Sequence, residues 1–271
     1  MRLRRPKPSA TDHDEPTGGQ RSPESRWFWD HYDWAAGQIV QFLEGSEFSL
    51  DGRDVADVGC GDGILTLGLA RRIRAQRIVG FDVNPVDLEH LTRQTLNEGV
   101  SSDLPPELEF CVSEPERLPA PSGSFDFVST WSAFEHIANP LAVLCEVRRI
   151  LRPHGVLYLQ LWPFYFSERG SHLWEWFPEP FHHLRSTQTT ILDQLRESDV
   201  KPRDWTDMMA REFSQLNRLT LDELHRCILG AGLSVVKLEL LTNAVFVPRE
   251  LARYSLSDLG TTGVKLLAVP S

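Results

Sequence analysis

Two hydrophobic periods take turns along this chain, and the clearest change of period falls between Asp54 and Ala70, DVADVGCGDGILTLGLA. Val55, Ala56 and Val58 form a short apolar run suited to a buried strand. Gly59, Gly61 and Gly63 punctuate it, and Ile64, Leu65, Leu67 and Ala70 follow with helical spacing. The alternation then continues. Arg77 to Asp82 reads as a second strand, and Asn84-Pro85 predicts the start of a helix with Leu88, Leu91 and Leu96 inward. Leu108 to Val112 is a third strand. The turn Pro121-Ser122-Gly123-Ser124 leads into a fourth, Phe125 to Thr130. Asn139-Pro140 opens a helix with Leu141, Leu144, Val147 and Leu151 inward. Pro153-His154-Gly155 stops it before a fifth strand, Val156 to Leu161. Such alternation predicts an α/β fold with a doubly wound, mainly parallel seven-stranded sheet covered on both faces.

The pattern breaks from Trp162 to about Arg218, too long a stretch for an ordinary connection. Its first part, WPFYFSERGSHLWEWFPEPFHHL, is rich in aromatic residues, and its second part predicts helices over 187–197 and 204–217. Thr220 with Glu223 then reads as a capping box. It opens a helix with Leu221, Leu224 and Ile228 facing the core, ended by Gly230 or Gly232. Leu233 to Leu241 and Val264 to Val269 complete the strands. At the other end, Trp27, Trp34, Ile39, Phe42 and Leu43 predict one helical stripe, with Phe28 and Tyr32 beside it. Residues 1–25 hold Pro, Gly, Ser and charges with almost nothing to bury, as expected of a disordered tail. The predicted organisation is that tail, then one domain over 26–271 with an inserted segment over 162–218.

Composition narrows the function. A net charge of −10 over 271 residues argues against a nucleic-acid partner, which needs Lys and Arg clusters. Cys60, Cys111, Cys145 and Cys227 are scattered without a C-x-x-C pair, which suits unpaired thiols in a reducing cytoplasm. No apolar run is long enough to span a membrane, and no apolar stretch follows Arg2, Arg4, Arg5 and Lys7 to make a secretion signal.

The candidate chemistry starts at the glycines. Without side chains, they let a ligand approach the backbone N–H groups of the turn and the helix start. Their spacing is G-x-G-x-G; Ile64 occupies the place of the third glycine in a nicotinamide-binding fingerprint, which counts against an oxidoreductase. Asp82, ending the second strand, stands where an acid accepts hydrogen bonds from a ribose.

DVGCGDG (Asp57 to Gly63), GFDVNP (Gly80 to Pro85), SEPERLPAPSGSFDFV (Ser113 to Val128), STWSAFEHIANP (Ser129 to Pro140) and RILRPHGVLYL (Arg149 to Leu159) together resemble class I S-adenosylmethionine (SAM)-dependent methyltransferases, in particular the type 11 or UbiE-like group. The resemblance implies SAM as cofactor, with the glycine motif at its methionine end and Asp82 on both ribose hydroxyls. The residues it places around SAM are Asp57, Gly59, Cys60, Gly61, Gly63, Asp82, Val83, Glu114 and Trp131. Glu114 stands where the family usually carries an aspartate near the adenine amino group. The resemblance also implies a helical lid ahead of the first strand, and the inserted aromatic segment reads as a further lid after the fifth.

The sulfonium already activates its methyl group, so such an enzyme mainly aligns the reactants and excludes water. An oxygen or nitrogen acceptor also asks for a base. His136, on the loop leaving the fourth strand, is the candidate nearest the cofactor motifs, with Glu135 beside it. By likeness to a lid found in part of the family, His172 and His183 are further candidates. Clustered tryptophans at the strand exits predict a small apolar or aromatic acceptor. No metal site is expected: His172, His182 and His183 with Glu175 and Glu179 show no ligand spacing, and prolines interrupt any common helix. A SAM-binding regulatory protein without catalysis is the competing reading.

Overall fold

The structure is a computed structural model that describes residues 21–271; most of the stretch read as a tail lies outside the described residues. Helix α1 (Pro23–Trp29) begins within that stretch. Ser22 caps it by accepting from Ser25 N, and proline takes its first turn. A π-helical turn (Asp30–Ala35) and α2 (Ala36–Phe42) continue it. The buried face of this helix is Phe28, Ala35, Ala36, Ile39 and Phe42, whereas Trp27 and Trp34 are 53% and 42% exposed. The tryptophans share an edge one residue, about 100°, away from the core-facing stripe they were expected to join.

The alternation then unfolds as β1 (Asp54–Val58), α3 (Ile64–Arg72), β2 (Arg77–Asp82), α4 (Leu88–Asn97), β3 (Leu108–Val112), β4 (Phe125–Trp131), α5 (Pro140–Ile150) and β5 (Leu151–Leu161). Short α6 (His182–Arg185), α7 (Gln188–Glu197) and α8 (Arg203–Gln215) follow. After them come α9 (Leu221–Gly230), β6 (Leu233–Thr242), α10 (Leu256–Gly260) and β7 (Thr261–Pro270). The strands form one sheet in the order β3-β2-β1-β4-β5-β7-β6. Pairings are parallel from β3 through β5, and β7 runs antiparallel to both neighbours. The order reverses between β1 and β4, which opens a crevice at their carboxyl ends, the usual place for a ligand in such sheets.

Both faces of the sheet are buried. One core gathers Val79, Phe81, Phe125 and Leu157 with Leu144 of α5 and Ile228 of α9. The other gathers Val55, Phe127 and Tyr158 with Ile39 of α2 and Leu69 of α3. A separate apolar cluster lies in the insertion, where Leu173, Phe181, Ile191, Leu195 and Phe213 pack together with Leu251 and Leu259 from further along the chain. The insertion therefore has its own core, and that core extends beyond the expected limit at 218.

Several local expectations need correction. Asp87, not Asn84, caps α4, accepting from His90 N; Asn84 N is taken by Asp82. Leu91 of that helix is buried, but Leu88 and Leu96 are exposed because only one side of α4 meets the domain. Leu141 is likewise exposed, while Leu144 and Val147 are buried. Pro153-His154-Gly155 does not separate α5 from β5: the strand starts at Leu151 and runs through it, with a shift of register opposite Phe125 and Phe127. The capping box of α9 forms as expected between Thr220 and Glu223.

Candidate active site

At the end of β1 the chain bends over β2: Gly59 N and Cys60 N both donate to Phe81 O, at 2.8 and 3.1 Å. Gly59, Gly61 and Gly63 all have positive φ, +78°, +54° and +82°. The first and second differ in what surrounds them. A Cβ at Gly59 would stand 2.5 Å from Ala133 Cβ, so this glycine allows the turn after β4 to pack on the loop. A Cβ at Gly61 would meet nothing within 4 Å. Beside that open space Asp82 Oδ2 accepts from Gly61 N at 3.0 Å, and Asp82 Oδ1 accepts from Asn84 N at 2.9 Å. The glycine loop and the strand-end acid are thus in direct contact.

The remaining expected cofactor residues divide by burial. Asp57 lies behind the loop, 1% exposed, accepting from Thr66 Oγ1 at 2.7 Å and Ser129 Oγ at 2.9 Å. Burial raises its pKa to about 6, against the lowering effect of those two hydroxyls. It joins α3, β1 and β4 and supports the loop from below rather than lining the open side. The Cys60 side chain is also buried, with its thiol pushed up in pKa by desolvation. Val83 is exposed next to Asp82, and Glu114 is exposed just beyond β3, whose exit is fixed by Ser113 N donating to Asp82 O at 2.8 Å. Trp131 ends β4, stacked on Tyr158 and meeting Trp34 edge-on at a centroid distance of 5.6 Å.

The helix preceding β1 is tied to this region. Trp27 Nε1 donates to Asp62 Oδ2 at 2.8 Å. Gly68 of α3 lets the Tyr32 carbonyl approach, since a Cβ there would lie 2.1 Å from that oxygen. The Trp27–Asp62 contact was not foreseen; a tryptophan separated from an acid by a whole strand and loop carries no sequence spacing that reveals it.

The three candidate histidines separate into a pair and an outlier. His136, on the 3-10 turn Phe134–His136, faces His172 of the insertion, with ring centroids 5.3 Å apart and nearly perpendicular. Glu212 Oε2 lies 3.1 Å from His136 Nδ1. Burial lowers the pKa of His136 despite that carboxylate, and lowers His172 to about 3. His183 is elsewhere: its ring is buried in the core of the insertion, Nε2 donates to Tyr165 O at 2.6 Å, and burial lowers its pKa to about 4. That position ties His183 to the core of the insertion, with its ring against Tyr165. Glu135, next to His136, is 3% exposed, and burial raises its pKa to about 8. Asn217 secures this turn by donating its backbone N to Glu135 O at 2.8 Å and Nδ2 to Phe134 O at 2.7 Å. Trp174 stands beside His172 and Trp162, at centroid distances of 6.3 and 6.1 Å.

Residues 56–159 match the type 11 family described as a methyltransferase domain. The chain is 25% identical over 190 residues to a ubiquinone biosynthesis O-methyltransferase of Marinobacter nauticus, covering 64% of this chain and 74% of that one. It is 36% identical over 117 residues to the protein of the same name from Psychrobacter cryohalolentis, but there the match covers only 42% of either chain. Among solved structures, the YcgJ protein of Bacillus subtilis superposes with a TM-score of 0.53 at 15% identity, over 88% of this chain and 98% of that one. A geranyl diphosphate methyltransferase in complex with GPP and sinefungin gives 0.53 at 16% identity, over 88% and 78%.

Residues 56–159 carry a SAM-dependent methyltransferase domain of the type 11 group.

In this methyltransferase the open side of the Gly59–Gly63 loop and the Asp82 carboxylate fit the cofactor SAM: a Cβ-free surface at Gly61 for the methionine end, and an acid beside it to accept from ribose hydroxyls. The structural likenesses, at identities below one in five, bear on the fold alone, because one fold hosts many chemistries. No helix among the described residues is long and apolar enough to cross a membrane.

Proposed function

We propose that this methyltransferase moves the methyl group of SAM to an oxygen of a small aromatic or apolar acceptor held between the sheet edge and the insertion. The reading rests chiefly on one juxtaposition: the glycine loop and Asp82 lie at the carboxyl edge of the sheet from which Trp131, His136 and Trp162 also depart. Oxygen is preferred to nitrogen or carbon because the matched relatives are named O-methyltransferases.

When bound, SAM supplies an electrophilic methyl on a sulfonium sulfur. The loop from Gly59 to Gly63 and Asp82 would hold the nucleoside. The insertion, with its aromatic first part, covers the acceptor and keeps water out. The acceptor oxygen forms its bond to carbon as the sulfur–carbon bond breaks, and its proton must leave. His136 and His172 are the groups we assign to that loss, because burial keeps both imidazoles neutral at pH 7.

The test is methyl transfer from labelled SAM to a panel of phenols, catechols and amines, alongside calorimetric titration with SAM. The expected outcome is SAM binding with transfer to an oxygen acceptor. Binding without transfer to any acceptor, in the panel or in a cell extract, would favour the non-catalytic SAM-binding protein instead.

A further inference from the structure

The sheet ends in two unlike edges. On one side the last strand is β3, five residues long; on the other it is β6, ten residues long. Among the described residues β6 pairs only with β7. The register slips between Val235 and Lys237 and is then regular from Lys237 to Leu241. The outer side of that stretch presents backbone N–H and C=O groups with no strand to meet them, an arrangement that invites another strand.

The two faces of β6 at this edge differ in chemistry. Lys237 and Glu239 lie on the α2 side, opposite Leu267 and Lys265 of β7. Lys237 does not guard the edge as an outward lysine would, because its Nζ turns back to donate to Phe42 O at 2.7 Å and Glu44 O at 3.2 Å. Glu239 Oε2 lies 3.7 Å from Lys265 Nζ. Leu238 and Leu240 lie on the other side, opposite Leu266 and Val264, which belong to the core shared with α5 and α9. With Val236 they form an apolar row at the rim of the sheet, 61%, 56% and 42% exposed from Val236 to Leu240.

The spacing of these residues makes the edge complementary to itself. Two copies that join antiparallel edges are related by a twofold axis perpendicular to the sheet, so each side chain keeps its face. Centred on Lys237 or on Glu239, the pair would set a charge against its own copy. Centred on Leu238, it sets Leu238 against itself, Val236 against Leu240, and Lys237 of each copy against Glu239 of the other. Apolar and opposite-charge pairs directly across a ladder stabilise it, and like charges oppose it. The charges then alternate across the joint, from Lys265 to Glu239 to Lys237 of the second copy.

We propose that β6 is a homodimer interface, in which two copies pair this strand antiparallel about Leu238 and their sheets become continuous. The crevice between β1 and β4 lies beyond β7 and β5 from this edge, so dimerisation leaves the cofactor site open.

The test is sedimentation equilibrium of the full chain at about 10 μM, above the weakest affinity usual for an interface of standard size. The wild type is expected as a dimer. Leu238→Lys changes an exposed side chain and sets two ammonium groups together on the axis, which should weaken the dimer at least about tenfold. Lys237→Glu and Glu239→Lys each turn both cross-strand charge pairs repulsive, so each variant alone should be monomeric. An equimolar mixture of the two should form mixed dimers, because the altered charges are then complementary. Circular dichroism and SAM affinity on the same preparations should match the wild type throughout. A monomeric wild type would overturn the proposal and leave the edge to an extended segment of another protein. A Leu238→Lys variant that dimerises as tightly as the wild type, or a mixture no more associated than its two components, would overturn it as well.

Discussion

The glycine-loop half of the domain and the inserted half solve opposite problems. The first is built from neighbours in sequence: a strand, a bend, a helix and a second strand place Gly61 N against Asp82 within one βαβ unit. The second is assembled from a distance. Its core joins Phe181, Leu195 and Phe213 to Leu251 and Leu259, and its polar group joins Glu135 and His136 to His172. The comparison teaches that the contact between the glycine loop and Asp82 is a property of a local motif, whereas the grouping of Glu135, His136 and His172 exists only once the insertion has docked.

If the two halves are separable in this way, damage to one should spare the other. The largest effect is expected from Phe181→Ala, which removes a fully buried ring from the core of the insertion. Such truncations cost about 3–5 kcal/mol. Thermal denaturation should show that loss, while calorimetry finds SAM affinity within about twofold of the wild type. A comparable fall in SAM affinity would mean the halves are one unit.

Acid should also divide them. His183 is neutral in the fold with its pKa lowered from 6.5 to about 4, so the unfolded insertion binds a proton that the folded one refuses. Its contribution is whole above pH 6.5 and is lost as pH falls to 4, about 3 kcal/mol in all. Asp57 under the glycine loop runs the other way: its pKa is raised from 3.8 to about 6, so folding gains stability as pH falls across that window. Hydrogen exchange between pH 6.5 and 4 should therefore show amides of α6 and α7 losing protection while β1 and α3 keep theirs. Parallel loss in both regions would contradict the opposed signs.

Within the cofactor half, Asp82→Ala should weaken SAM binding by about 3 kcal/mol, roughly a hundredfold in Kd, for two charge-assisted hydrogen bonds lost. The melting temperature of the insertion should not move. The smallest effect is expected from Trp27→Phe, which keeps an aromatic ring, though a smaller one, and removes the bond to Asp62. About 1 kcal/mol, or fivefold in SAM affinity, is expected from titration.

The same division explains what could be read from the sequence. Asp82, the three glycines and the Thr220–Glu223 box were legible because their partners lie within a few residues or one crossover. The doubly wound, mainly parallel sheet followed from alternation, but the order of its strands did not. The start of α4 was misplaced because Asn84 N had a competing acceptor in Asp82, leaving Asp87 to cap. Trp27 and Trp34 were assigned to the core because aromatic residues at helical spacing usually face it, whereas these two occupy the edge nearest the glycine loop and Trp131. His183 and His172 looked alike in sequence; only the packing of the insertion buries the first on Tyr165 O and turns the second toward His136.

A crystal structure of the full chain with S-adenosylhomocysteine tests the central claim most directly. The account predicts both ribose hydroxyls on the Asp82 carboxylate and the homocysteine end across the open side of Gly61. A nucleoside bound away from the β1–β4 crevice, or held there with Asp82 still turned to Gly61 N and no contact to the ribose, would contradict it.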